Sequence, residues 1–579
     1  MSRQRTPGAR PQPATIAMLA GVLLLPATTV FAADPAGDGA AIGAHLAAGE
    51  FAPAMAIAQQ APNVQRRDHW LAQIAGAQAQ AGARDAALRS AAEIYDDRVR
   101  TQAISGVAAM PLGGGTGADF DSLTDLITST IQPTTWDAVG GPGSIAGFET
   151  GVVVDSKGVL CPLLKQAQGG RLAALYAASR AKIHQGSVRQ KSPLRKISLP
   201  RLEKHVQLLA AAGRKPDEAM RALAGLQRIQ YVFVYPESRD LVIAGPAGDW
   251  QWGEENRIVS TDTGQPVVQL DDLVVVLRHM MSGPDARFGC AITPTQQALA
   301  RAKKFIEESG KRPLRSTRER RQWVDQLRES LGKQDIDVYG IDPRTRAAQV
   351  MVEADYRMKL VGIGLEEGVP GVKSYLESIK IMPGPQEPMS VLRWWFTLNY
   401  DAVLSDPHRA AFEIRGQGVK VLSENEMLTA QGKRIHTGKS EELNLIFVRS
   451  FTAHFGELCK KYPIYAELRN VFDLAILGAV IREEDLAEKA NWHMTYFGSP
   501  EAYRVPLGVA PTQVDTVVNC RVIRKGNTKH IRAIPSGGVR VDPATVVSRA
   551  TIKTDRDGTL QRERYAGQPK QEIGVWWWD

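Results

Sequence analysis

Cysteine is scarce in this sequence: four among 579 residues, Cys161, Cys290, Cys459 and Cys520. No two of them stand in C-x-x-C spacing, so the chain is neither a disulfide scaffold nor a cysteine-built metal site. An oxidising compartment would still permit up to two disulfides, in three possible pairings. A second long apolar run is missing too. The best one after the N-terminus, Leu474 to Ile481, is fenced by Asp473 and Arg482 and falls far short of the ~20 apolar residues of a membrane-spanning helix. The chain closes on Trp576, Trp577, Trp578 and Asp579 rather than on a hydrophobic anchor signal. The expectation is a soluble chain with no stable membrane span.

The short motifs of familiar chemistry are absent or broken. There is no G-x-S-x-G elbow and no H-E-x-x-H pair, which removes the local anchors of a serine hydrolase and a zinc protease. Lys433 to Ser440 ends in Gly-Lys-Ser, but a phosphate loop needs its first glycine at 433, where lysine stands, and no apolar strand leads into it. Gly362-Ile363-Gly364 lacks a third glycine at 367, and Glu366 with Glu367 would repel a pyrophosphate. Ser179 to Lys182 and Ser330 to Lys333 both fit S-x-x-K, yet the K-T-G element that gives the pattern meaning is missing. The ten histidines are scattered without ligand spacing. No metal and no cofactor is expected. The net charge of +9 is spread through mixed segments, and the densest basic cluster, Lys311 to Arg321, is interrupted by Pro313 and Glu319. That is a basic surface rather than a nucleic-acid interface.

What is present begins with an export signal. Arg3, Arg5 and Arg10 precede an uncharged stretch from Ile16 to Leu25, which Pro26, Thr28 and Thr29 break. Val30 and Ala32 then put small or short-branched residues where a signal peptidase reads, so residues 1–32 read as a cleavable signal peptide cut between Ala32 and Ala33. The expected location is the periplasm or the extracellular space.

The remaining length and 44% apolar content suit several globular units. Residues 33–110 are alanine-rich, with amphipathic helices punctuated at Ala47 to Gly49 and Ala81 to Ala83, a tetratricopeptide-like pattern. Residues 111–185 follow a glycine-rich linker and read as a small helix-turn-strand module with a strand at Gly151 to Val154. The basic stretch Arg189 to Lys196 reads as a second linker. Helices and β-rich runs alternate over 197–545, which predicts an α+β fold, a mixed α/β core preceded by a short helical-repeat region. Strands are expected at Ile229 to Tyr235, Leu241 to Gly245, Val391 to Asn399, Phe412 to Leu422 and Val514 to Ile534. Residues 546–579 read as a tail, polar and disordered from Thr554 to Gln571, whose Trp-rich end docks as an extended strand with Trp576 and Trp578 facing one way.

Candidate polar sites weigh toward structure. His454 shares an apolar helical stripe with Leu443, Phe447, Phe451 and Leu458, which suggests a core histidine. Asp473 stands four residues after Arg469, which suggests an ion pair within the helix. On the helix whose buried stripe is Ala347, Val350, Met351, Ala354 and Val361, Glu353 with Arg357 and Asp355 with Lys359 form two i,i+4 pairs of about 0.2 to 0.5 kcal/mol each. If any cluster binds an anion, Asp355, Arg357 and Lys359 are the candidates. For a dispersed catalytic site the residues to watch are Cys290, Asp271, Asp272 and Arg357.

Several phrases then coincide: YVFVYPES at Tyr231 to Ser238, LVIAGPA at Leu241 to Ala247, LDDL at Leu270 to Leu273, ADYRMK at Ala354 to Lys359 with GIGLE at Gly362 to Glu366, GQGVK at Gly416 to Lys420, and SGGV at Ser536 to Val539. Together they resemble a family of exported planctomycete proteins carrying a domain of unknown function, over about residues 197–545. The resemblance implies no activity and assigns no residue a role. The expectation is an exported cell-envelope protein acting as a non-enzymatic binding or assembly module for a protein partner or envelope component. The alternative is a hydrolase of envelope material whose site is assembled from dispersed side chains.

Overall fold

The computed structural model describes residues 38–110, 144–148, 151–155, 188–253, 255, 257–309, 316–381, 390–429, 431, 433–523, 529–566 and 575–579. The signal peptide with Ala32 and Ala33, Cys161, and most of the module read at 111–185 lie outside them, as does the side chain of Cys520.

The alanine-rich start makes five helices: α1 (Asp38–Ala47), α2 (Phe51–Gln59), α3 (Val64–Gln80), α4 (Arg84–Ala92) and α5 (Asp97–Ala109). Alanine loses no side-chain entropy in a helix and lets neighbours approach closely. The helices α1 and α3 stop in the same way. Gly49 and Gly82 take φ of +74° and +77°. The N–H groups of Glu50 and Ala83 reach back to the carbonyls of His45 and Gln78. That closure is open to glycine without strain, so the punctuation seen in the sequence is a pair of helix stops. Asn63 and Asp96 cap α3 and α5 by accepting from Arg66 N and from Arg98 N and Val99 N. Trp70, Leu71, Ile74, Leu88, Ile94, Ile104 and Val107 fill the shared core.

After the hairpin β1 (Ser144–Phe148) and β2 (Gly151–Asp155) come two large sheets. One runs β18 (Lys553–Thr554), β11 (Ala402–Ser405), β12 (Ala411–Arg415), β4 (Tyr231–Tyr235), β5 (Asp240–Ala247), β3 (Ser192–Ser198), β19 (Trp577–Trp578). The other runs β14 (Arg434–His436), β13 (Gly418–Leu428), β10 (Ser390–Asn399), β17 (Lys529–Val541), β8 (Phe288–Pro294), β9 (Lys333–Tyr339), β15 (Gln513–Asp515), with β16 (Asn519–Ile523) also on β17. Within them only β10 with β17 and β11 with β18 pair in parallel, so the fold is α+β. A further short pair, β6 (Trp250–Trp252) and β7 (Ile258–Ser260), stands apart.

The helices that pack on these sheets are α6 (Leu199–Ala211), α7 (Leu270–Met280), α8 (Gln296–Ser309), α9 (Thr317–Leu331), α10 (Arg346–Gly362), α11 (Tyr375–Ile381), α12 (Glu442–Ala453), α13 (Phe455–Lys461), α14 (Pro463–Glu483) and α15 (Thr559–Tyr565). Helix α14 is the spine. It is buried along nearly its whole length, its charged Glu467 and Asp473 included, and it touches α7, α10, α13 and β13. Strand β10 shows the two-residue period at work: Leu392, Trp394, Phe396 and Leu398 enter the core, while Arg393 and Trp395 face the other way.

Four expectations need correction. The run Phe412 to Leu422 is two strands in different sheets, because Gly416 and Gly418 at φ +131° and +96° turn the chain between them. A side chain at Gly416 would meet Asp401 N at 2.7 Å and one at Gly418 would meet Arg469 Cγ at 2.8 Å, so neither position has room for one. The expected linker Arg189 to Lys196 contains the start of β3. The expected disordered stretch contains α15, whose Arg564 carbonyl accepts from Tyr235 Oη at 2.9 Å. The tryptophans dock as a strand, but Trp576 and Trp577 join the main core while Trp578 packs with Phe233, Tyr235 and Leu560 on the opposite side.

Candidate functional site

The helical array is fastened to the core at α6, where Arg84 donates to Ala211 O and Gln207 donates to Thr101 Oγ1, and at the loop of residues 492–497. Asp97, at the start of α5, accepts from His493 N and Thr495 Oγ1 at 2.9 and 2.8 Å. Glu203 on α6 is wholly buried and accepts from Tyr496 N, Phe497 N and Trp492 Nε1. Burial pushes its carboxyl up, against the pull of those donors. Three donors aimed at one buried carboxylate fix the loop's backbone and with it the seat of α5. A cavity of about 510 Å³ opens beside this joint, between Arg98 of the array and Arg278, Met281, Trp492, His493 and Met494 of the core.

A second polar cluster ties three helices together. Glu467 on α14 takes Arg257 on one oxygen and Arg346 on the other. Arg257 also holds Glu353, and Arg346 also holds Asp272. Asp272 and Glu467 are both raised by burial, and the arginines oppose that rise. Asp271, next in the chain, accepts from Tyr503 Oη at 2.8 Å instead. Every one of these acids has a protein partner, which is the pattern of a structural network.

The residues singled out from α10 separate. Asp355 and Lys359 are 0% and 1% exposed and lie 2.8 Å apart, so this pair is sealed inside the protein and the surface value of 0.2 to 0.5 kcal/mol does not apply. Lys359 Nζ also donates to Ile292 O and Gln334 Oε1, both at 3.3 Å. Burial pushes the Asp355 carboxyl up while Lys359 pulls it down. Cys290 on β8 is buried beside them, and burial, then the Asp355 charge, raise its thiol far above the ordinary value. A thiol held protonated is a poor nucleophile.

Arg357 points elsewhere. It lies over the Tyr462 ring and pairs with Glu255 at 3.4 Å and Glu366 at 3.7 Å. The expected pair with Glu353 does not form, because Glu353 is taken by Arg257. Cys290, Asp271, Asp272 and Arg357 therefore do not meet in one cleft.

Two other expectations change. Asp473 is held by Arg228 Nε at 2.9 Å and Tyr400 Oη at 2.7 Å rather than by Arg469, so it links α14 to the segment before β4 and the turn between β10 and β11. His454 breaks α12 from α13 and is partly exposed, with Gly371 packed against its ring, while its four apolar neighbours are in the core. Cys459 is buried and free, its thiol pushed up to about 12 by burial. Cys290 is free as well, so these two cysteines do not pair with one another.

A cleft of about 680 Å³ lies at the end of α10, walled by the loop Gly364 to Ser374, Glu377 and Lys461. Lys461 Nζ donates to Gly368 O at 2.8 Å, and Tyr462 Oη donates to Glu367 O at 2.7 Å, which holds the loop open. Three acids line it: Glu366 pairs with Arg357 at 3.7 Å, Glu367 with Lys461 at 3.5 Å, and Glu377 accepts from Ser374. The sequence carried a signal for this loop in Gly362 to Glu366, read there as a failed dinucleotide motif and as one phrase of the family resemblance.

On the far edge of the second sheet the β13–β14 hairpin gathers Glu424, Glu426 and His436, which offer ligand atoms within 4.8 Å of one another. Glu424 and Glu426 share a face because they are two apart on a strand, and His436 stands opposite Glu426. The strand expected to stop at Leu422 hid this grouping.

Among the described residues no helix is long and apolar enough to cross a membrane. No match is found among curated proteins or among solved structures. Residues 290–375, from β8 through Asp355 and Lys359 to the wall of the cleft, match the family described as Protein of unknown function (DUF1598), and the chain carries that domain.

Proposed function

We propose that the protein is an exported, non-enzymatic binding or assembly module of the cell envelope, in the periplasm or outside the cell, and that it engages its partner at the cleft walled by Gly364 to Ser374. The observation that carries this reading is how the DUF1598 segment distributes its polar groups. Asp355, Lys359 and Cys290 are shut away, while Glu366 and Glu367 of the same segment line an open cleft. A protein or envelope component with a cationic group would meet Glu366, Glu367 and Glu377 there, at a rim whose shape is set by Lys461 and Tyr462. The export part of the reading rests on the charged start, apolar core and cleavage residues of 1–32.

Co-sedimentation with isolated cell-envelope material tests it. Saturable binding by the purified chain is expected, weakened at least tenfold by Glu367→Gln, a substitution at a side chain 94% exposed whose ion pair with Lys461 at 3.5 Å it neutralises. Binding unchanged in that variant would remove the cleft from the reading. Release of soluble fragments from the envelope by the wild-type chain would replace it with the hydrolase alternative.

A further inference from the structure

The β13–β14 hairpin holds an arrangement that ion pairing alone leaves incomplete. Its members come from sequence by simple register. Glu424 and Glu426 lie on one face of β13, Arg393 of β10 stands opposite Glu424, and His436 of β14 stands opposite Glu426. Both glutamates are more than nine-tenths buried, at 8% and 7% exposed, whereas the His436 side chain is 58% exposed and forms the open side.

Each carboxylate is anchored from behind. Glu424 Oε1 accepts from Gly438 N at 2.7 Å, and its Oε2 accepts from Arg393 at 3.3 Å. Glu426 Oε2 accepts from Arg434 at 3.1 Å, and Arg434 in turn donates to Ser536 Oγ at 2.9 Å. Burial raises the Glu424 carboxyl, but the Gly438 N–H, His436 and Arg393 outweigh it and hold the group below its ordinary value. The Gly438 N–H and Arg393 thus fix the orientation of this carboxylate.

The front of the site is where partners run out. His436 Nδ1 lies 3.2 Å from Glu424 Oε2 and 3.2 Å from Glu426 Oε1. One ring nitrogen carries at most one proton and cannot serve both carboxylates. It hydrogen-bonds to Glu424, and Glu426 Oε1 is left buried without a hydrogen bond. A buried charged oxygen without a donor is costly, and a cation among the three atoms would relieve it. The spacing suits one: with bonds of about 2.0 to 2.2 Å, neighbouring ligands of a tetrahedral zinc ion stand about 3.3 Å apart.

We infer that Glu424, Glu426 and His436 form a binding site for a divalent transition-metal ion of the zinc type. Imidazole with two carboxylates is a ligand set such ions accept, and three protein ligands with one exposed side leave a position for water or a partner's donor atom. Arg393, Arg434 and Gly438 act behind the ligands, fixing the carboxylates. Their positive charge offsets the two glutamates, so the affinity is expected in the micromolar range rather than tighter. The Gly-Lys-Ser sequence thus finds its use here, since Gly438 turns at φ +67° to aim its N–H at Glu424.

The test is calorimetric titration of the chelator-treated full chain with zinc chloride, repeated on His436→Ala and Glu426→Gln, with the melting temperature of each variant recorded. Cobalt(II) is then added to read the visible absorption of a low-symmetry site. One saturable site is expected in the wild type, weakened at least tenfold in both variants, with a cobalt spectrum that His436→Ala abolishes. His436 is exposed, so that variant keeps its fold even if Glu426→Gln does not. Absence of zinc binding in the wild type, or binding and spectrum unchanged in His436→Ala, would overturn the inference and leave His436 as an ion-pair partner of two carboxylates.

Discussion

Removing Lys359 puts the buried pair of α10 to a strict test. In Lys359→Met the apolar stem is kept and the ammonium is lost, so Asp355, 0% exposed, loses the cation at 2.8 Å. Breaking a buried ion pair from one side costs about 3 to 5 kcal/mol. The pair can relax only by protonating Asp355. Starting from its ordinary value of 3.8, neutralisation at pH 7 spans about three pH units at about 1.4 kcal/mol each, or about 4 kcal/mol, which agrees with the mutational range. The sign follows. With its folded pKa raised further in the variant, Asp355 protonates at little cost near pH 4, and the stability difference from wild type grows as pH rises through and above that value. Urea unfolding followed by tryptophan fluorescence, at pH 4.5 and pH 7, measures both. A loss of about 3 to 5 kcal/mol at pH 7 that shrinks to about half or less at pH 4.5 is expected. A loss below about 1 kcal/mol at pH 7, the value of an exposed pair, or one indifferent to pH, would refute the reasoning.

Deleting residues 575–579 removes β19, the buried indoles of Trp576 and Trp578, and the Asp579 partner of fully buried Arg195. Each indole is worth about 1.5 to 3 kcal/mol, so the melting temperature of the truncated chain should fall by several degrees, and an unchanged value would count against docking. Glu203→Ala strands three donors around the loop at 492–497 and should destabilise by about 3 kcal/mol. It should also expose α5 and α6 to limited proteolysis before the rest of the core, and uniform protection would show that the joint does not depend on that carboxylate. Glu424, whose folded pKa is depressed, contributes stability that is present above its ordinary 4.5 and lost as pH falls through the folded value. The difference in melting temperature between wild type and Glu424→Gln should therefore be larger at neutral pH and shrink as pH falls below 4.5. A difference indifferent to pH would point to packing instead.

The sequence alone determined the elements whose causes are local. Alanine content and the stops at Gly49 and Gly82 gave the helical array. The strand pair on either side of Pro236 to Ser238, and the helix carrying the stripe from Ala347 to Val361, were legible from periodicity and turn chemistry. The buried stripe of α10 was legible too, because helical spacing fixes which residues share a face. What only the tertiary structure decided is what surrounds each face. Sequence spacing showed Asp355 beside Lys359 but not the sheet that seals them. It showed Arg469 near Asp473 but not Arg228 arriving from a loop 245 residues away. Strand partners are chosen by long-range packing, so β12 and β13, continuous to the eye, went to different sheets. Glu424, Glu426 and His436 became neighbours only when a hairpin register placed them on one face. Burial and partnership set the charge and cost of a side chain, and both are properties of the assembled neighbourhood rather than of the chain.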